Sequence, residues 1–205
     1  MRTTALHIGV LASHEGSLLQ AILDACADTH LRARVCVVIS NNSDSGALRR
    51  AREASVRTAH LSSATHADPA ALDRAISETL EQANVDLVVL VGYMKRLGPV
   101  TLARFKDRMI NTHPSLLPKY GGSGFFGRKV HDAVLANGDT ESGATVHWVP
   151  GDYDSGPIIA QVRVPIIDAE TPATLEEKVK AAERKLLIET LRSIADRPVT
   201  SSIAS

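Results

Sequence analysis

Four short runs rich in β-branched residues, LHIGVLAS (6–13), RVCVVIS (34–40), RTAHLS (57–62) and DLVVLVG (86–92), are separated by segments of helical periodicity. Strands that are apolar on both faces and joined by helices must form a parallel sheet covered on both sides, so this alternation narrows the fold more than any other feature. Leu18, Ile22 and Cys26 make one helical stripe, and Leu72, Ile76 and Leu80 make another. Asp68-Pro69 supplies an N-cap followed by proline at the first helical position. MINTH (109–113) reads as a fifth strand, and ligands are expected beyond the carboxyl ends of such strands.

The second half changes character. GGSGFFG (121–127) is a flexible stretch, and a short helix is expected from about Val130 to Asn137. ESGATVHWV and PIIAQVRVPI then read as two strands linked by the turn-rich PGDYDSGP. Thr171-Pro172 caps a long final helix with Leu175, Val179 and Leu186 on its apolar stripe. The expected fold class is α/β, a mostly parallel doubly wound sheet of Rossmann type with an antiparallel extension in the C-terminal half. No repeat or linker divides the chain, so residues 1–199 are expected to form one domain and residues 200–205 a disordered tail.

Charge and cysteine usage narrow the partners. Lys plus Arg equals Asp plus Glu at 23 each, which leaves no basic excess for a nucleic acid backbone, so any bound anion must be held by local geometry. Cys26 and Cys36 lie in apolar settings and read as reduced thiols, which favours the cytoplasm. The apolar run from Leu87 to Met94 falls far short of the roughly 18 residues a membrane span requires, so no membrane partner is expected. The eight histidines are scattered and form no H-E-x-x-H pattern, and C-x-x-C is absent, so no metal is expected.

Asn111 and His113 are two apart and project from one face of their strand, and Pro114 keeps His113 extended. An amide beside an imidazole suits a reaction in which a carbonyl oxygen gains charge while a proton moves nearby. The residues alone leave a second reading open, in which Asn111 ends the strand and His113 bonds within the turn. At the first strand–helix turn, SHEGSLLQ (13–20), backbone N–H groups point outward at a helix amino terminus, and Gly16 and Ser17 are natural anion ligands.

GVLASHEGSLLQAILDAC, LVVLVGYMKRLGP, NTHPSLLPKYGG and GATVHWVPGDYDSGPIIAQ resemble, in this order and at similar spacings, the folate-dependent formyltransferases, in particular their purine-synthesis branch. The resemblance implies that a formyl group passes from 10-formyltetrahydrofolate, the cosubstrate, to the glycyl amine of glycinamide ribonucleotide. Asn111 would donate to the developing oxyanion. His113 would stabilise the intermediate and help relay a proton. Asp154, in D-x-G-P, would pair with His113, raise its pKa and bind a relay water; without the resemblance it reads as an ordinary turn aspartate. The resemblance places a folate pocket between MKRLGP and VPGDYDSGP. Main-chain groups at Lys95, Leu97 and from Val149 through Gly151 and Asp152 to Asp154 would read the pterin edge, with Leu90 and Tyr93 as apolar wall. Lys95 or Arg96 would meet the folate glutamates, although a solvated cationic pair fits either side chain as well. GGSGFFGRKV would cover the site.

For the acceptor, the resemblance implies Glu15, Gly16, Ser17 and Leu18 in the phosphate turn, with Lys180 at the phosphate and Glu183 at the ribose. A surface i, i+3 salt bridge between Lys180 and Glu183 is the simpler alternative. The family usually reads S-G-x-G-S/T-N in the turn, whereas His14, Glu15 and Leu18 stand here. Glu15 would repel a phosphate unless it points outward or pairs with His14. The expected partners are small-molecule substrates, a phosphorylated ribosyl glycinamide and a reduced folate, bound by a monomer or weak homodimer. A same-fold formyltransferase serving another amine, and a folate- or nucleotide-binding module without catalysis, remain the alternatives.

Overall fold

The computed structural model describes residues 5–122, 124–151 and 154–196; Asp152 and the expected tail at 200–205 lie outside the described residues. The elements run β1 (Leu6–Leu11), α1 (Ser17–Ala27), β2 (Ala33–Ser40), α2 (Gly46–Glu53), β3 (Arg57–His60), α3 (Pro69–Gln82), β4 (Leu87–Leu90), α4 (Pro99–Arg104), β5 (Met109–His113), α5 (Arg128–Ala136), β6 (Glu141–Trp148), β7 (Ile158–Pro165) and α6 (Pro172–Asp196). One sheet carries the strands in the order β3-β2-β1-β4-β5-β6-β7. β1 to β5 are parallel, and β6 and β7 are antiparallel additions, so the expected fold class and its extension are both present.

Strand alternation sends successive side chains into two cores. Ile8, Val10, Leu87 and Val89 face a cluster with Leu19 and Ile22 of α1, Leu48 of α2 and Leu175, Val179 and Leu187 of α6. Leu11, Val37, Val88 and Leu90 face the other, with Ile76 and Leu80 of α3 and Phe105. The stripe expected on α1 is displaced by one position at its start. Leu19 and Ile22 are buried while Leu18 and Cys26 are only partly so, because the helix meets the sheet along the 19–22 line and leaves its neighbours on the flanks. Both cysteines are free, and burial pushes the Cys26 thiol up to about 11. β3 ends at His60, short of Ser62, because a tight turn follows in which Ser62 N–H donates to Thr65 Oγ1 at 2.9 Å.

The order reverses between β1 and β4, and such a switch point opens a crevice beyond the carboxyl ends. Ser13 pins the two strand ends together: its N–H donates to the Gly92 carbonyl at 3.2 Å, and its Oγ accepts from Met94 N–H at 2.8 Å. The segment that follows β4 is held by Asp73 of α3. This buried carboxylate accepts from Val100 N–H (2.7 Å), Thr101 N–H (3.0 Å) and the Thr101 hydroxyl (2.6 Å), capping α4. Gly98 has to be glycine here, because a Cβ would lie 2.3 Å from the Asp73 carboxyl carbon. Asp73→Ala strands these donors without an acceptor and should lower unfolding free energy by roughly 3 kcal/mol in urea titration. A loss below roughly 1 kcal/mol would show that water replaces the cap.

Candidate active site

The antiparallel register of β5 on β6 assembles the polar centre. Asn111 lies opposite His147 and His113 opposite Thr145, and Asp154 arrives from the β6–β7 connection in a left-handed conformation with φ 50°, which Asp tolerates better than most residues. The Asn111 amide nitrogen is 3.1 Å from His147 Nε2 and donates to Asp154 Oδ1 at 3.3 Å. His113 Nδ1 lies 3.4 Å from Asp154 Oδ2, and His147 Nε2 lies 3.4 Å from Oδ1. Gly122 N–H donates to Asp154 Oδ2 at 2.9 Å. His113 is only 5% exposed.

Tautomers follow from the carbonyls. His113 Nε2 is 2.6 Å from the Tyr120 carbonyl and must carry the proton there. In the neutral ring Nδ1 is then the basic nitrogen, and it faces Asp154. His147 Nδ1 donates to the Trp148 carbonyl at 2.9 Å, which leaves Nε2 to accept from Asn111. Both N–H groups of the Asn111 amide are thus engaged, so donation to an oxyanion requires it to exchange one of these partners.

Burial is the largest influence on His113 and pushes its pKa below the usual imidazole value. Asp154 and the Tyr120 carbonyl oppose that effect without overcoming it. Asp154 raises His113 as expected, but the net shift is downward, because removing the imidazolium from water costs more than the carboxylate returns. Asp154 is the reverse case. Burial opposes its charge, but His147, His113 and the Gly122 N–H outweigh burial and hold the carboxyl below its usual range.

The residues expected around the folate come together in part. Leu90, Tyr93, Leu97 and Val149 share one apolar cluster with Leu102. Leu90 and Tyr93 are 7% and 9% exposed, so they support the wall more than they present it. Lys95 and Arg96 are exposed, and Gly151 sits with its Cα side toward Leu102. The cover segment exposes Phe125 and Phe126, and the Phe125 ring meets Tyr120 edge-on at 5.9 Å.

At the acceptor side, α1 begins at Ser17 with Gly16 at φ 72°, no side-chain cap and no acidic residue in its first turn. Leu18 packs partly into the core. Glu15 does not pair with His14; its Oε2 lies 3.7 Å from Arg49 Nη2. Lys180 does not pair with Glu183 either. It is held by Glu176 at 2.8 Å and Glu177 at 3.3 Å, its close neighbours on α6. Glu183 is 5% exposed and lies beside the buried Thr112 hydroxyl. Burial pushes the Glu183 carboxyl up to about 7, although Thr112, Lys180 and Arg184 each pull it down.

His147 was not singled out among the sequence candidates. It stands two residues from Thr145 on a strand read correctly as β, which is the one local signal that could have marked it. Among the described residues no His/Cys/Asp/Glu group could hold a metal ion, and no helix is long and apolar enough to cross a membrane.

A doubly wound sheet with a buried imidazole, carboxylate and amide at its carboxyl edge defines an α/β enzyme site suited to group transfer with acid–base assistance. The family described as Formyl transferase matches residues 6–191, and the chain belongs to it. Phosphoribosylglycinamide formyltransferase of Mycobacterium tuberculosis is 42% identical over 191 residues, 93% of this chain and 86% of that protein. The trifunctional purine biosynthetic protein adenosine-3 of Bos taurus is 38% identical over 192 residues, 94% of this chain but only 18% of that much longer protein. Glycinamide ribonucleotide transformylase 1 from Symbiobacterium toebii superposes with a TM-score of 0.87 at 38% identity, covering 95% of this chain and 89% of the other.

Asp154→Asn removes a group that raises His113, so the His113 ring should titrate at lower pH than in the wild type when followed by NMR. An unchanged or higher midpoint would contradict the pairing. Glu183 contributes in the opposite direction. Its folded-state value lies above the unfolded one, so stability is fullest below the ordinary carboxyl range and falls as pH rises through about 7. Glu183→Gln should therefore flatten the loss of stability between about pH 5 and about pH 8, by on the order of 3 kcal/mol.

Proposed function

We propose that the protein transfers the formyl group of 10-formyltetrahydrofolate to the glycyl amine of glycinamide ribonucleotide, a step of purine biosynthesis. The observation that carries this reading is the convergence of Asn111, His113 and Asp154 at the end of β5, in a chain 42% identical to a phosphoribosylglycinamide formyltransferase. The amine attacks the formyl carbon, a C–N bond forms, and the carbonyl oxygen takes up charge. Asn111 swings one amide N–H from Asp154 or His147 onto that oxygen. Release of His113 Nε2–H from the Tyr120 carbonyl adds a second donor. The amine loses a proton, which Asp154 accepts through water with His113 beside it. A proton reaches N10 as the C–N10 bond breaks, so the carboxylate ends as it began.

The folate fits the groove beside Leu97 and Val149, where main-chain groups of Lys95, Leu97 and Gly151 read the pterin and the exposed Lys95 or Arg96 meets carboxylates. The acceptor's phosphate rests on the uncapped amino terminus of α1 at Gly16 and Ser17. Its ribose hydroxyls reach Glu183, a buried carboxyl beside the Thr112 hydroxyl.

An assay with both substrates tests the reading directly. Asn111→Ala and His113→Ala should each lower kcat by about 10²- to 10³-fold while a non-transferring folate analogue still binds. A variant that kept roughly a tenth of wild-type turnover would remove that residue from the mechanism.

A further inference from the structure

The phosphate turn carries an acidic residue at the position that the family pattern leaves open, and α2 begins beside it. Glu15 Oε2 lies 3.7 Å from Arg49 Nη2. The carboxylate also hangs over the start of α2, where a Cβ on Gly46 would stand 2.7 Å from both the carbonyl oxygen and Oε2 of Glu15. The turn and α2 are in backbone contact. Ala47 N–H donates to the His14 carbonyl at 3.0 Å, and a Cβ on Gly16 would be 2.8 Å from Ala47 Cα. The next arginine fixes the path of the turn: Arg50 Nε donates to the Glu15 carbonyl at 2.8 Å and Arg50 Nη1 to Gln20 Oε1 on α1 at 3.1 Å.

A helix amino terminus attracts a phosphate through partial charges, and one full negative charge in the adjoining turn cancels much of that attraction. Here the carboxylate lies at the positive end of α2, 3.7 Å from a guanidinium, with both side chains largely exposed. We infer that Arg49 is a specificity-determining residue for the phosphate-bearing acceptor, acting by neutralising Glu15 without touching the ligand itself. The inference rests on the proposed function, because it assigns the phosphate to the α1 turn. Arg49 and Glu15 form one unit: either charge alone shifts acceptor affinity, and removal of both restores it.

The test uses the full chain and ribose 5-phosphate as probe in calorimetry, with KM for glycinamide ribonucleotide measured in parallel. At low ionic strength Arg49→Ala should weaken probe binding about threefold or more. The loss should fall on KM and not on kcat, and should shrink in about 0.5 M salt. Glu15→Asn should bind the probe as tightly as the wild type or more tightly. The double variant Glu15→Asn/Arg49→Ala should return to within about twofold of the wild type, since the two terms are coupled. Wild-type affinity in Arg49→Ala overturns the inference. So does a double variant as weak as Arg49→Ala, which would make the loss structural. Weaker binding in Glu15→Asn overturns it as well, because Glu15 would then contact the ligand. A wild type that does not bind ribose 5-phosphate overturns it too. The predicted binding pattern in a protein that forms no formylglycinamide product would support the charge pair and sink the proposed function alone.

Discussion

The pairing register of β5 on β6 is the constraint on which the site depends. A parallel sheet could have ended at β5, leaving Asn111 and His113 on an exposed edge. The antiparallel partner closes that edge and sets His147 opposite Asn111. Thr145, on the same face of β6, accepts from Leu117 N–H at 3.1 Å and donates to the Ser115 carbonyl at 2.7 Å, which locks the turn that follows β5. A slip of one residue would turn each of these side chains to the opposite face.

Two buried carboxyls at this edge are driven in opposite directions by their surroundings. Asp154 has two imidazoles, an amide and a backbone N–H around it, and stays ionised. Glu183 has a hydroxyl and two cations that do not offset its burial, and its carboxyl is pushed up to about 7. Divergent environments of this kind let one site offer an anion at one point and a proton donor at another.

Much of this was legible in the chain, and the gaps have physical reasons. Strand runs such as DLVVLVG announce themselves because β-branched residues suit a doubly buried strand, and the caps at Asp68 and Thr171 rest on local bonds that the structure contains. Asn111 and His113 were marked as candidates by spacing, with a turn reading left open until the resemblance was counted. Asp154 did not, because a turn aspartate has no local mark of function, and only the resemblance drew attention to it. His147 escaped because its importance lies in a register between strands 34 residues apart in numbering, from His113 to His147. The net direction of the His113 shift depended on how deeply the ring is buried, which no motif encodes. The seat of Glu15 needed the contact between the first turn and α2, two elements that no short pattern links.

The segment after β5 is tied by hydrogen bonds to both titratable groups of the polar centre. Its root supplies the Tyr120 carbonyl to His113 and the Gly122 N–H to Asp154. These bonds depend on charge: the carbonyl favours a protonated ring and the N–H favours an ionised carboxylate. Thermodynamic linkage makes such coupling reciprocal. Whatever free energy the loop lends to one protonation state, that state lends back to one position of the loop. The position of this backbone and the protonation of the two side chains are therefore linked, and a group that takes the place of either bond shifts both at once.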